Sequence, residues 1–291
     1  MLKGTYTALV TPFCKGQVDE DALRKLVQWQ IKEGVDGLIP VGTTGESPTL
    51  NMEEHIRVIE VVVQTAVGKA KVIAGTGANS TAEAIELTQA AERLGADGSL
   101  QVTPYYNKPT QEGLYQHFKA IAQATTLPIM LYSVPSRCAV EIGIETCRRL
   151  AKDCRNIIAI KEAGGTPERV SQLRAVFPSH FTILSGDDPL TLPFMAVGAK
   201  GVVSVASNVA PRQVAQMVKA YLHGKISLAQ KLHAKLYPLF KDLFIETNPI
   251  PVKAALAMMG WIEEEYRLPL CKMSAVNRQK LRKTLRALKL V

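Results

Sequence analysis

Ile157-Ile158-Ala159-Ile160-Lys161, followed by Glu162-Ala163-Gly164-Gly165, is an apolar run that closes on a lysine. Its length, its isoleucines and its bounds, Asn156 on one side and a glycine pair on the other, predict a fully buried strand. An ammonium at the carboxyl end of such a strand has two available fates. It reaches water on its flexible stem, or it is held at the rim of a site. Held there it loses hydration, so its charged form is disfavoured and its pKa falls. A neutral amine of that kind can form a Schiff base with a carbonyl substrate. The pentapeptide leaves both fates open, and the elements around it decide.

Outward from this strand, short apolar runs recur at Tyr6–Val10, Gly37–Val41, Lys71–Gly75, Ser99–Thr103, Pro128–Tyr132, Thr182–Ser185 and Gly201–Val205. Helical patterns lie between them. Asp19 can cap a helix that ends at Gly34, and Asn51…Glu54 and Ser80…Glu83 have the spacing of capping boxes. Thr166-Pro167 and Ala210-Pro211 put proline in a first helical turn. Eight such repeats of about thirty residues, each the size of one βα unit, predict an α/β fold. A closed (β/α)8 TIM barrel fits them better than a doubly wound sheet, because no Gly-x-Gly-x-x-Gly follows the first strand. β signals stop near Gly224. Helical patterns then cover Ile226–Phe244, Pro251–Met259 and Ala275–Leu290. The expected organisation is a catalytic barrel over residues 1–224 and a small C-terminal α-helical domain over 225–291.

Composition removes several function classes. The chain has 291 residues, 47% of them hydrophobic, and no apolar stretch of membrane-spanning length. Its N-terminus lacks an apolar h-region, which predicts a cytoplasmic protein without a secretory signal. Cys14, Cys138, Cys147, Cys154 and Cys271 are scattered without a Cys-x-x-Cys, so reduced thiols are expected rather than a disulfide framework or zinc site. The five histidines show no ligand spacing, and no metal is expected. Of the net charge of +9, seven charges lie between Lys272 and Val291, where no acid occurs. Leu281, Leu285 and Leu288 give that segment a helical period, so it reads as an amphipathic helix with a basic outer face. A solvated face is the favoured reading, with nucleic acid or an acidic surface as the alternatives. The absence of interleaved aromatics weighs against nucleic acid.

In a barrel of this kind chemistry sits at the carboxyl ends of the strands and on the loops that follow. Those positions carry Gly42-Thr43-Thr44-Gly45-Glu46-Ser47, Tyr105-Tyr106-Asn107, Tyr132-Ser133-Val134-Pro135-Ser136-Arg137, Lys161 and Ser185-Gly186-Asp187-Asp188. Individually each has an ordinary reading as a turn, a packing tyrosine or a surface charge. Together they supply an amine nucleophile, hydroxyl and phenol proton carriers, backbone N–H groups for an anion, and a guanidinium suited to a carboxylate. Such parts suit carbon–carbon bond formation between a 2-oxo acid and a second carboxylated substrate.

In order and spacing these motifs resemble the dihydrodipicolinate synthase family of the Schiff-base pyruvate aldolase superfamily. The likeness runs nearly end to end, through Gly75-Thr76-Gly77-Ala78-Asn79 and Asn248-Pro249-Ile250-Pro251-Val252-Lys253. The resemblance implies condensation of pyruvate with L-aspartate 4-semialdehyde, the first committed step toward diaminopimelate and lysine, without a cofactor. Lys161 would form the Schiff base. Tyr132 would be the central proton carrier, linked to Thr43 and to Tyr106, which in the family comes from a neighbouring subunit. Thr43 and Thr44 would hold the pyruvate carboxylate, Arg137 the carboxylate of the semialdehyde, and Gly186 and Val203 would line the pocket. A homotetramer, a dimer of dimers, is implied as well.

Ser47, His55, Asn79, Glu83 and Tyr105 match the family's lysine feedback site. Glu83 has a second reading as the acid of a capping box. Met52 stands where lysine-sensitive members often carry histidine, Pro48 where alanine is common, and Ser133 where asparagine is usual. The nearest alternative is another pyruvate aldolase on the same scaffold, an N-acetylneuraminate lyase or a 2-keto-3-deoxy sugar acid aldolase. Lys161 and Tyr132 would serve any of these. Arg137 separates them, because a sugar-cleaving site wants hydroxyl-binding groups in its place.

Overall fold

The computed structural model describes residues 2–291. Its main sheet has eight parallel strands: β1 (Gly4–Ala8), β2 (Gly37–Ile39), β3 (Lys71–Gly75), β4 (Gly98–Val102), β5 (Ile129–Ser133), β6 (Ile157–Glu162), β7 (Thr182–Ser185) and β8 (Gly201–Ser204). They form a closed barrel in the order β1-β8-β7-β6-β5-β4-β3-β2. All eight lie within two residues of the predicted runs, and the TIM barrel with C-terminal helices is the observed fold. Strand β2 stops short of Val41 because that residue has φ +50, outside extended backbone. An antiparallel hairpin, Phe13–Cys14 with Gln17–Val18, was too short for any periodicity to announce.

Helices α1 (Glu20–Lys32), α2 (Met52–Ala66), α3 (Thr81–Arg93), α4 (Gln111–Gln123), α5 (Ile144–Asp153), α6 (Pro167–Val176), α7 (Thr191–Ala196) and α8 (Pro211–Leu222) follow the strands. The Asp19 carboxylate accepts from the Ala22 N–H, as its position predicts. Asn51 and Glu54 form the full reciprocal capping box. At α3 the Ser80 hydroxyl accepts from the Glu83 N–H at 3.4 Å, so the serine half of that box is the half observed. None of the described helices is long and apolar enough to cross a membrane.

Contacts divide the chain into two compact units. The first comprises Ile73–Val203 with the N-terminal residues through Lys3. Inside it, barrel positions are filled by polar as well as apolar groups. The Gln101 amide donates to Thr76, Thr88 and Ser99 hydroxyls at 2.8, 2.8 and 2.6 Å, and all four residues are buried. These shared bonds fix the side-chain orientation, while the Gln101 Oε1 is buried without a partner.

The second unit comprises Gly4–Val72 and Ser204–Val291. It contains α9 (Ile226–Asp242), α10 (Ile250–Met258) and α11 (Ala275–Ala287). On α11, Leu281 and Leu285 are fully buried while Arg282, Lys283 and Arg286 face solvent. Arg278 pairs with Glu264, and Lys280 pairs with Asp242 at 3.2 Å. The predicted amphipathic helix is present, and part of its basic charge is matched within the unit.

Candidate active site

Within the first unit, β6 runs one residue beyond the prediction, and Lys161 does not escape to water: it is 7% exposed. Lys161 and Tyr132 are register partners on β6 and β5, which sets their side chains on the same face of the sheet. The Lys161 ammonium lies 3.8 Å from the centre of the Tyr132 ring. Burial pushes its pKa down to about 7, the Arg137 guanidinium acts in the same direction, and the Asp188 carboxylate opposes them. A substantial fraction of this amine is therefore neutral near pH 7, as a Schiff-base nucleophile requires.

Arg137 sits on a short helical turn, Pro135–Cys138, immediately after β5. The turn starts because Pro135 presets its φ at a first helical position. Gly186 follows β7, and its N–H donates to the Glu162 carbonyl at 2.8 Å. A Cβ there would stand 2.9 Å from the Ala163 Cβ and 3.1 Å from the Lys161 Cε, so only glycine leaves the lysine stem its space. Val203, on β8, is 1% exposed.

The loops after β3 and β4 are tied together. Asn79 Nδ2 donates to the Tyr105 carbonyl at 3.2 Å, and Asn107 Nδ2 donates to the Asn79 carbonyl at 2.9 Å. Burial pushes the half-buried Tyr105 phenol above its ordinary value, and the nearby Glu83 carboxylate adds to this. Asn79, Glu83 and Tyr105 are thus brought together. Tyr106 is 90% exposed with φ +72, its ring presented to solvent on a strained backbone.

In the second unit, Thr43-Thr44-Gly45 form a 3₁₀ turn after β2. Thr44 is buried, and its hydroxyl accepts from Asn248 Nδ2 at 3.0 Å. Thr43 is half-buried. Ser47 and exposed Pro48 belong to the next 3₁₀ turn, while half-buried Met52 and buried His55 lie on α2.

Two charged groups were missed in the sequence. Glu162, one residue beyond Lys161, is fully buried and pairs with Arg169 of α6 at 3.4 Å. Arg169 also donates to the Ile142 carbonyl, and the Ile142 N–H reaches the Ser133 hydroxyl at 3.4 Å. The signal available was an acid directly after a buried strand lysine. The second group is Glu46 with Lys253, both fully buried, their charged atoms 2.5 Å apart. In the sequence, Asn248–Lys253 stands out only as a motif. Among the described residues, no group of three or more His, Cys, Asp or Glu side chains is placed to hold a metal ion, and all five cysteines are unpaired.

Residues 1–288 match the dihydrodipicolinate synthetase family. A 4-hydroxy-tetrahydrodipicolinate synthase of Thermodesulfovibrio yellowstonii is 54% identical over 291 residues, all of both chains. The structure of the 4-hydroxy-tetrahydrodipicolinate synthase of Methylacidiphilum fumariolicum SolV superposes with a TM-score of 0.98 at 56% identity, covering 99% of this chain and 96% of that one. Two further similar structures hold small molecules. A dihydrodipicolinate synthase of Acinetobacter baumannii, complexed with pyruvate, has a TM-score of 0.97 at 46% identity over all of both chains. The Cyanidioschyzon merolae enzyme, with lysine bound, has a TM-score of 0.97 at 43% identity over 99% of both.

Proposed function

The chain belongs to the dihydrodipicolinate synthetase family, and from that premise we propose that it condenses pyruvate with L-aspartate 4-semialdehyde to give 4-hydroxy-tetrahydrodipicolinate. The observation that carries the reading is Lys161, a buried amine with a pKa of about 7 beside the ring of Tyr132. The neutral amine adds to the pyruvate ketone, and loss of one water leaves an iminium. That iminium is an electron sink, so a methyl proton leaves and an enamine forms. The enamine carbon attacks the semialdehyde aldehyde, which takes up a proton as the new carbon–carbon bond closes. The semialdehyde's own amino group then attacks the iminium carbon, closes the ring and expels Lys161. Each step moves a proton, and Tyr132, Thr43 and Tyr106 are the assigned carriers.

Thr43 and Thr44 are assigned to the pyruvate carboxylate, Arg137 to the carboxylate of the semialdehyde, and Gly186 and Val203 to the pocket lining. Arg137 supports this substrate over a sugar acid, because a guanidinium matches a carboxylate with two parallel hydrogen bonds. A cytoplasmic homotetramer, a dimer of dimers, belongs to the same reading. The exposed ring of Tyr106 supports it, since that ring would complete a neighbouring subunit's site. Lysine is the candidate feedback ligand for Ser47, His55, Asn79, Glu83 and Tyr105. The uncapped role left to the Glu83 carboxylate supports it, and Met52 and Pro48 speak for a blunted response.

Borohydride reduction with pyruvate, followed by intact mass and peptide mapping, tests the mechanism. A pyruvyl adduct on Lys161 is expected; its absence, or placement on another lysine, overturns the assignment. For the substrate, consumption of pyruvate with the semialdehyde should far exceed cleavage of N-acetylneuraminate, and the reverse order would move the protein to the lyases.

A further inference from the structure

The turn assigned to the pyruvate carboxylate is strained at both ends. Val41, before it, and Glu46, closing it, are non-glycine residues with φ +50 and +54. For a β-branched valine that conformation is a true outlier, and such backbone persists only where its surroundings over-determine it. Glu46 is where those surroundings converge. Its N–H donates to the Thr43 carbonyl at 3.1 Å, and its own carbonyl accepts from the Thr49 hydroxyl at 3.1 Å. Its carboxylate takes the Lys253 ammonium at 2.5 Å on one oxygen and the Arg267 N–H at 3.3 Å on the other. Lys253 has no exposure and lies 4.2 Å from the centre of the Phe13 ring.

The grip on the turn comes from one short segment. Lys253 is in the first turn of α10, and Asn248, just before that helix, donates to the Thr44 hydroxyl at 3.0 Å. From a third side the Thr11 hydroxyl donates to the Gly45 carbonyl at 2.7 Å. A buried ion pair is a poor means of gaining stability, because desolvation offsets most of its attraction. It does fix direction, which an apolar contact of the same volume would not. We propose that Glu46 and Lys253 are positioning residues: their buried pair holds the Thr43–Thr44 backbone in the geometry that binds the 2-oxo acid's carboxylate. This rests on the assignment of pyruvate to that turn.

The test is steady-state kinetics of the full chain carrying Glu46→Gln, Lys253→Met or Thr11→Val. The last removes one buried anchor while keeping side-chain shape, so it remains informative where the charge variants fold poorly. In folded protein the KM for pyruvate should rise about tenfold in the charge variants and about threefold in Thr11→Val, with the KM for the semialdehyde within about twofold of wild type. A merely structural pair would lower thermal stability and the active fraction without favouring one substrate. An unmoved pyruvate KM, or equal loss for both substrates, overturns the positioning role. Borohydride trapping on wild type separates the two layers: no Lys161 adduct overturns the assigned reaction together with this inference, whereas an adduct beside unmoved KM values overturns the inference alone.

Discussion

Lys161 and Lys253 are both withdrawn from water, 7% and 0% exposed, and each lies over an aromatic ring, Tyr132 at 3.8 Å and Phe13 at 4.2 Å. They differ in what meets the charge. Lys253 has the Glu46 carboxylate at 2.5 Å, which works against the lowering effect of burial. For Lys161, the charge contributing most after burial is the Arg137 guanidinium, of its own sign, and the ammonium is pushed down to about 7. Burial lowers the pKa of both lysines; at Lys253 the Glu46 carboxylate opposes it directly, whereas at Lys161 the next largest influence adds to it. On the proposed reading, that difference is what leaves Lys161 the reactive amine.

The sharpest way to break this contrast is to exchange which lysine is left. Lys161→Ala should abolish pyruvyl trapping and lower kcat by about a thousandfold or more, because the covalent route is lost. Lys253→Met should still give the adduct on Lys161 at saturating pyruvate. Trapping on Lys253 in the Lys161→Ala protein, read by peptide mapping, would show that pairing with an acid does not protect a buried amine.

Stability should sort the two sites in opposite directions. Lys253→Met strands the Glu46 carboxylate in the interior, a loss of about 3–5 kcal/mol, which the double variant with Glu46→Gln should partly restore. Lys161→Met should instead stabilise. The folded-state pKa of Lys161 lies below its unfolded value, so between about 7 and the ordinary lysine range the unfolded chain binds more protons. Wild-type stability therefore rises with pH across that window, and the penalty that methionine removes is fully present below about 7. Thermal melts of the four proteins at pH 6 and pH 9 read both effects. A Lys253→Met protein as stable as wild type would remove the stability contrast between the two sites.

The same contrast marks what the sequence could reveal. The strand that carries Lys161 is legible because a buried strand is written in contiguous residues, and eight such runs at one spacing specify the barrel. The partner of Lys253 was not, because Glu46 lies 207 positions away and ion pairing leaves no periodic trace. Gly42–Glu46 read as an anion-binding turn from its glycines and hydroxyls, yet its strain at Val41 and Glu46 depends on φ values that composition does not report. Glu83 shows the converse error. Its spacing from Ser80 satisfied the capping-box pattern, but the observed cap uses the serine alone.

The finest test concerns how much of the Lys161 depression belongs to burial and how much to its neighbours. The initial rate of borohydride-trapped adduct should rise with pH through a midpoint near 7, since only the neutral amine attacks. Arg137→Met removes a like charge and should move that midpoint up; Asp188→Asn removes an opposing charge and should move it down. The arginine effect, the larger of the two at low salt, should shrink more as salt is raised, because Arg137 is exposed and screened whereas Asp188 is 2% exposed. In both variants the midpoint should stay well below the ordinary lysine value, since burial contributes most. A return to that value in Arg137→Met alone would make the guanidinium the controlling cause. Lys161 and Lys253 would then differ only in the sign of their neighbour, and burial would drop out of the explanation.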